Sequence, residues 1–260
     1  MTGRILAGLA LAASIAFVAR RARSLTNSGA IAATCVGTIA IAAGWSWGAL
    51  LVVYFAISTA LSHAGKGAKE RRVASILAKG GARDATQVFA NGGMFAAAAL
   101  AAVIHPDIRW ISVGAGSLAA SAADTWATEI GTLYGGEPRS ILSWRPVPTG
   151  TSGGVSAIGT LAAVAGAVFV ALVVAALGWT SSVARNVMIG GLAGALVDSL
   201  LGATVQSRRW CDVCERETER AVHDCGTSTR HRRGFVWLDN DLVNFLSNAA
   251  GGLIAVILTR

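Results

Sequence analysis

The chain has 260 residues, of which 53% are hydrophobic and only 14% are charged, and its mean hydropathy is +0.57. Soluble domains carry about 25% charged residues, so this composition excludes an ordinary soluble domain and predicts a membrane protein. The net charge of +8 does not call for a nucleic-acid partner, because the basic residues fall where membrane topology would place them.

Eight apolar segments follow one another along the chain, and each has about the length that crosses a hydrocarbon core of ~30 Å. They are residues 4–19, 28–44, 46–62, 86–104, 110–131, 153–178, 184–205 and 238–258. Arg20 and Arg21 follow the first segment without a small-residue cleavage site, so we expect a retained helix rather than a signal peptide. The pattern predicts an all-α, polytopic membrane helical bundle over residues 1–260, with about eight transmembrane helices.

The loops between these segments alternate between short ones and longer basic ones. Most of the Lys and Arg residues lie in loops 1, 3, 5 and 7. By the positive-inside rule that side is cytoplasmic, which puts both termini outside and predicts location in the cell's inner membrane. For Lys69, Arg71 and Arg72 in loop 3, we favour a role in orienting the protein and contacting lipid headgroups.

Polar side chains inside membrane helices are costly, so each needs a physical reason. Asp124 and Glu129 lie in the fifth segment and Asp198 in the seventh, each near the predicted cytoplasmic end. The fourth and eighth segments bring further polar residues in from the same side: Gln87, Asn91, Asn240, Asp241 and Asn244. The simplest alternative is that all of these only form hydrogen bonds between helices. We favour a hydrated cavity at the cytoplasmic face.

Carboxylates in such a cavity suit Mg²⁺, which takes oxygen ligands from one or two carboxylates and from substrate phosphates. Asp124 and Asp198 are the predicted Mg²⁺ ligands. Glu129 is a further catalytic candidate, but it lies five residues from Asp124 and therefore on another face of the helix. One of these two carboxylates is expected to bind metal while the other holds a neighbour or a basic side chain.

A run of glycines and hydroxyl residues directly precedes the sixth helix. Backbone N–H groups and the positive end of a helix dipole at such a position suit a phosphate. The predicted substrate or nucleotide-binding residues of this run are Thr149, Gly150, Thr151, Ser152, Gly153 and Gly154. It is not a Walker motif, because no Gly-Lys-Ser/Thr occurs, and a merely flexible loop is the alternative. Lys66, Arg83 and Arg139 are predicted to neutralise phosphate charge, with Arg83 among the catalytic candidates.

The last basic loop, residues 206–236, contains Cys211, Cys214, His223 and Cys225. The Cys-x₂-Cys pair followed by His-x-Cys supplies the four ligands of a tetrahedral zinc site. A structural disulfide is disfavoured in a reducing cytoplasm. We predict a structural Zn²⁺ that staples the loop, and the alternative is reduced cysteines in a disordered loop.

Five motifs, in this order, resemble the integral-membrane phytyl-phosphate kinase family of the vitamin E pathway, and more distantly the dolichol kinase group. They are residues 23–29, 83–93, 124–131, 149–156 and 240–244. The resemblance implies transfer of a phosphoryl group from a nucleoside triphosphate, CTP or another, to a prenyl monophosphate similar to phytyl or geranylgeranyl phosphate. The product would be the prenyl diphosphate, and the reaction would depend on Mg²⁺.

Two other functional classes need a similar arrangement. A transporter or flippase of a prenyl-phosphate lipid would use the same basic cavity, with broken helices near the midplane. The clustering of polar residues toward one face argues against it. A CTP-dependent lipid cytidylyltransferase would also need carboxylates and Mg²⁺, but it would release pyrophosphate.

Overall fold

The computed structural model describes residues 2–73, 76 and 81–259, without the side chains of Glu70 and Arg71. In this part of the chain there are nine helices: α1 (Thr2–Arg21), α2 (Asn27–Ala43), α3 (Trp45–His63), α4 (Lys66–Val73), α5 (Ala85–Ile104), α6 (Ile108–Tyr134), α7 (Ala157–Ala176), α8 (Ser181–Thr204) and α9 (Asn240–Ile257). Eight of them correspond to the eight predicted segments, and the short α4 was not predicted. The prediction of a helical membrane bundle is confirmed.

Five of the described helices are long and apolar enough to cross a membrane, namely α1, α3, α5, α7 and α8. The apolar helix α2 is shorter, with 17 residues. Helices α6 and α9 contain the acidic and amide side chains singled out above, which lower their hydropathy. The count of eight membrane spans therefore stays a prediction.

Two small antiparallel sheets lie in the loops and were not predicted. Strand β1 (Arg139–Ser140) pairs with β2 (Gly154–Val155) and closes the loop between α6 and α7. Strand β3 (Arg208–Cys211) pairs with both β4 (Arg216–Thr218) and β5 (Arg230–Arg233) between α8 and α9. Both sheets lie at the end of the bundle where α5, α7 and α9 begin and α6 and α8 end, which we call the basic end.

Side-chain caps set where the helices of the basic end begin. Asp84 accepts a hydrogen bond from the Gln87 N–H (2.9 Å), and the Gln87 side chain accepts one from the Asp84 N–H (3.1 Å), which forms a capping box at the start of α5. The side chain of Ser156 accepts from the Gly159 N–H at the start of α7, and that of Asp239 accepts from the Leu242 N–H at the start of α9. These caps fix the first turns from which several candidate site residues project.

Glycines bring α6, α8 and α9 into close contact. A Cβ added at Gly194 of α8 would lie 2.4 Å from the Ala120 Cβ of α6, and one added at Gly190 would lie 2.3 Å from the Gly251 carbonyl oxygen of α9. Small residues let helix backbones approach where lipid gives no hydrophobic drive for association. The close approach of these three helices is what brings their polar residues together at the basic end.

Candidate active site

A cavity of about 940 Å³ opens at the basic end, and most of the predicted site residues line it. Those that line it are Lys66, Arg83, Gln87, Asp124, Glu129, residues 149–154, Asp198, Asn240, Asp241 and Asn244. Carboxylates, basic side chains and the glycine-hydroxyl run therefore border a single space. The roles assigned to the individual residues stay predictions.

Two carboxylates from different helices meet in this cavity. The side chains of Asp124 and Asp198 lie within hydrogen-bonding reach of each other. The Ser247 hydroxyl of α9 donates to Asp198 Oδ1 at 3.1 Å. Two neighbouring carboxylates repel each other unless a proton or a cation lies between them. The pair thus offers oxygen donors of the kind that a hard divalent cation takes.

The third carboxylate, Glu129, holds a basic side chain. Its Oε2 accepts a hydrogen bond from the ammonium of Lys69, which also donates to the carbonyls of Leu61 (2.8 Å) and Ser62 (2.9 Å). Lys69 therefore fastens α4 to the end of α3 and to α6. The Lys69 side chain is only 8% exposed, so its predicted contact with lipid headgroups is wrong.

The other two basic residues of that prediction differ in outcome. Arg72 donates to the carbonyls of Thr132 (2.7 Å) and Leu133 (2.8 Å), so it caps the end of α6, although its side chain is exposed. The predicted contact of the exposed Arg72 with lipid headgroups stays a prediction. The side chain of Arg71 lies outside the described residues.

Arg83 is held in place from both its backbone and its side chain. Its N–H donates to the Ser24 carbonyl (2.9 Å), and its own carbonyl accepts from the Thr26 N–H (3.0 Å). The guanidinium donates to Ser62 Oγ at 3.1 Å. A Cβ added at Gly29 would lie 2.1 Å from the Arg83 carbonyl oxygen. The motif at residues 23–29 thus positions Arg83 at the cavity wall.

The glycine-hydroxyl run forms a tight loop between the cavity and the end of α8. Gly150 (φ +92°) and Gly153 (φ +76°) adopt the left-handed backbone region that favours glycine. A Cβ added at Gly153 would lie 2.5 Å from the Ala203 Cβ, so the loop rests directly on α8. The loop leads through β2 into the first turn of α7.

A buried acid, Glu219, ties this loop to the three-stranded sheet. Its Oε1 accepts hydrogen bonds from Ser152 Oγ (2.8 Å) and Gln206 Nε2 (2.8 Å). Arg208 lies 3.5 Å from the same oxygen and donates to the Ser152 carbonyl at 3.0 Å. Burial lowers the pKa of the Arg208 guanidinium, while the charge of Glu219 acts in the opposite direction.

The predictions from the sequence do not include this network. They assign only a basic loop to the segment that contains Gln206, Arg208 and Glu219. The single signal that points to Glu219 is its acidity, which it shares with Asp212, Glu215, Glu217 and Asp224 in the same segment. It does not identify Ser152, 67 residues earlier in the chain, as the partner.

Two predicted binding residues lie outside the lining of this cavity. The Asn91 amide donates to the Gln87 carbonyl (3.0 Å) and accepts from Ser121 Oγ (2.8 Å), so it joins α5 to α6. Arg139 donates to the Trp144 carbonyl at 2.9 Å and shapes the loop that precedes β2. The hydrogen bonds of both side chains are therefore structural ones within the protein, and their predicted binding roles stay predictions.

The four predicted zinc ligands converge at the end of β3, where Cys211 lies in the strand and the other three lie in the connections between the strands. The ligand atoms of Cys211, Cys214, His223 and Cys225 all lie within 4.8 Å of one another, and the group could hold a metal ion. The segment folds as a sheet, so the alternative of a disordered loop is wrong. Hydrogen bonds with Thr227 and, to a smaller extent, with His223 lower the pKa of Cys225 to about 6. This favours the thiolate, which is the metal-binding form.

Comparison with known proteins identifies the family. The family model described as integral membrane protein DUF92 matches residues 10–252. The chain belongs to this family. It is 34% identical to Protein PGR of Arabidopsis thaliana, with 94% of this chain and 92% of the relative covered. The resemblance to the phytyl-phosphate kinase family is confirmed at the level of the family.

More distant relatives are similar over most of this chain. An uncharacterised membrane protein of Methanocaldococcus jannaschii is 27% identical, with 98% of this chain and 94% of the relative covered. Protein VTE6, chloroplastic, of Arabidopsis thaliana is 29% identical, with 91% of this chain and 66% of the relative covered. No solved structure matches the chain.

Replacing Glu219 with Gln is expected to destabilise the protein by about 3–5 kcal/mol, because it leaves the buried Arg208 without its counter-charge. The measurement is thermal unfolding of the purified protein in detergent. Asp212→Asn is the matched control: it lies in the same segment, and its ion pair with Arg230 (3.0 Å) is exposed. That change should cost at most about 1 kcal/mol. Equal unfolding temperatures for the two variants would contradict the network.

Proposed function

We propose that this protein is a Mg²⁺-dependent membrane kinase. It transfers a phosphoryl group from a nucleoside triphosphate to a prenyl monophosphate and forms the prenyl diphosphate. The observation that carries the proposal is the meeting of Asp124 and Asp198 in a cavity also bordered by the glycine-hydroxyl loop and Arg83. Membership in a family that resembles phytyl-phosphate kinases supports it.

The oxygen-rich pair of Asp124 and Asp198 fits a Mg²⁺ ion. Charge repulsion between the two carboxylates favours a cation between them, and neither residue has a basic partner among the hydrogen bonds and ion pairs of the described residues. Asp124 and Asp198 would hold the ion, and its charge would offset the negative charge of the phosphates. Ser247 would hold Asp198 in the orientation that this requires.

The chain's own groups would supply the remaining charge stabilisation. The N–H groups of Thr151 (3.1 Å) and Gly154 (2.9 Å) donate to carbonyls within the loop, so those of Gly150, Ser152 and Gly153 would be the ones that bind phosphate oxygens. Arg83 and Lys66 would neutralise charge on the transferred group. Ser62 orients the guanidinium of Arg83 in advance. Preorganised donors of this kind lose little energy to rearrangement during the reaction.

No strong general base is needed for this reaction. The acceptor is a phosphate whose oxygen is already anionic, so positioning and electrostatics carry most of the rate. The ion pair of Glu129 with Lys69 would then act by holding α3, α4 and α6 in register around the cavity. Under the positive-inside rule, the nucleotide would reach the basic end from the cytosol.

The Cys/His cluster would hold a structural Zn²⁺. Three thiols and one imidazole within 4.8 Å form the donor set that zinc prefers in closed tetrahedral sites. Hydrogen bonding with Cys225 raises the pKa of Cys214 to about 11. Bound metal would remove this competition between the two thiols. The sheet held in this way carries Arg208 on β3, and Glu219 follows directly after β4.

Metal analysis of the purified protein is expected to find about one zinc per chain, because a closed four-ligand site binds a single ion. Cys214→Ser should lose the metal and unfold at a lower temperature, since metal binding contributes to folding. Cys35→Ser is the control, because Cys35 lies in α2 away from the cluster. A wild-type protein free of zinc, or a Cys214→Ser variant that keeps it, would refute the site.

An assay with two separately labelled nucleotides tests the function. The purified protein in detergent is mixed with Mg²⁺, geranylgeranyl phosphate and a nucleoside triphosphate labelled at the α or the γ phosphate. Label from the γ position in a prenyl diphosphate supports the kinase. Label from the α position in the lipid, with release of pyrophosphate, identifies a cytidylyltransferase. No product, together with transbilayer movement of the lipid in vesicles, identifies a flippase.

Within this assay, Asp124→Asn and Asp198→Asn are each expected to lower kcat by about a hundredfold or more, because removing one charge weakens metal binding and transition-state stabilisation. Asp107→Asn is the matched control. Asp107 caps the opposite end of α6, and asparagine caps a helix equally well. Full activity of a folded Asp124→Asn variant would remove that residue from the site.

A further inference from the structure

Helices α7 and α8 share a buried core at one end and carry exposed apolar residues toward the other. Val170 and Val174 of α7 and Val183 and Val187 of α8 belong to one buried core, and each is at most 1% exposed. Toward the basic end the same two helices become accessible: Val164 is 40% and Leu196 is 53% exposed. Both of these residues also line the cavity that contains the carboxylates. This combination of exposure and cavity lining is what a lateral opening of the cavity between α7 and α8 would produce.

This opening lies within the helical part of the bundle. Val164 is seven residues from the start of α7, and Leu196 is eight residues from the end of α8. At 1.5 Å per residue, both lie about 10–12 Å from the basic end of their helices. In an integral membrane protein, such a position faces the hydrocarbon of the bilayer rather than the aqueous phase.

The lining of the cavity changes from polar to apolar along α8. Ser199, Leu196, Ala195 and Leu192 all line it and repeat at the i, i+3, i+4, i+7 spacing of one helix face. Asp198 precedes Ser199 at the polar end, and Leu192 lies about 9 Å further from it along the axis. On α7, Ala163 and Val164 continue the apolar wall. One cavity thus offers charge at one end and a narrow apolar cleft at the other.

We propose that this cleft binds the apolar tail of the lipid phosphate, and that the tail enters sideways from the bilayer between α7 and α8. The identity of the headgroup rests on the function proposed above. Continuity of the cleft with the polar part of the cavity supports one amphipathic occupant, because its phosphate would meet Arg83, Lys66 and the glycine-hydroxyl loop while its tail would meet the apolar wall. The lateral opening lets a long tail stay in hydrocarbon while the phosphate reaches Arg83 and the glycine-hydroxyl loop.

Photocrosslinking locates the tail without any phosphoryl transfer. The purified protein in lipid nanodiscs is irradiated with a geranylgeranyl phosphate that carries a diazirine on its tail, without nucleotide. We expect labelled peptides from residues 157–176 and 181–204, and labelling that unlabelled geranylgeranyl phosphate competes away. Competed labelling confined to other helices, or no competed labelling at all, would overturn the cleft.

A matched pair of variants tests the width of the cleft. Ala163→Leu should raise the concentration of geranylgeranyl phosphate needed for half-maximal competition by about tenfold, because the larger side chain fills an apolar pocket built for the tail. Ala165→Leu is the control, since Ala165 is exposed on a different face of α7 and does not line the cavity. Equal effects of the two substitutions would argue against tail binding at this place.

The two proposals can fail separately. Labelling of α7 and α8 without formation of a diphosphate would keep the cleft as a lipid-phosphate site and remove the kinase. Diphosphate formation with labelling elsewhere would keep the kinase and remove the cleft. Dimethylallyl phosphate, which has a short tail, adds a check. Ala163→Leu should change its concentration for half-maximal competition much less than that of geranylgeranyl phosphate.

Discussion

The close approach of two carboxylates inside a membrane bundle is the constraint on which the site depends. Bringing Asp124 and Asp198 together costs free energy through mutual repulsion and loss of water, so the surrounding packing must enforce it. The glycine contacts between α6, α8 and α9 supply that packing, since a Cβ at Gly194 would force α8 away from α6. Two carboxylates held together in this way form the arrangement that the proposed divalent cation would stabilise.

Two ion pairs with largely buried side chains hold the basic end of the bundle. Lys69 and Glu129 connect α4 to α6, whereas Arg208 and Glu219 connect the three-stranded sheet to the glycine-hydroxyl loop. A buried pair contributes little net stability, but removing one partner is costly, so such pairs act mainly by fixing geometry. The loop at Ser152 thus takes its position from the sheet as well as from the start of α7.

The regular part of this fold followed from local signals in the chain. Apolar length located the eight long helices to within a few residues, and the cost of polar groups in membrane helices pointed to Asp124 and Asp198. The pairing of Lys69 with Glu129 and of Glu219 with Ser152 was not accessible in this way, because the partners are 60 and 67 residues apart along the chain. Charge alone suggested lipid headgroups for Lys69, and only the tertiary contact with Glu129 shows otherwise. Asn91 was placed at the correct helix but joins α5 to α6 instead of lining the cavity.

Polarity changes along α8 in a way that a purely structural set of buried polar residues would not require. Interhelical hydrogen bonds alone would be satisfied by Asp198 with Ser247, and they give no reason for a cavity that continues past them to an exposed Val164 and Leu196. A soluble substrate would not need an apolar exit toward lipid, and a fully apolar ligand would not need the carboxylates. An amphipathic molecule with an anionic head accounts for both ends of the same space. We therefore interpret the proposed cleft between α7 and α8 and the carboxylate pair as parts of one binding site.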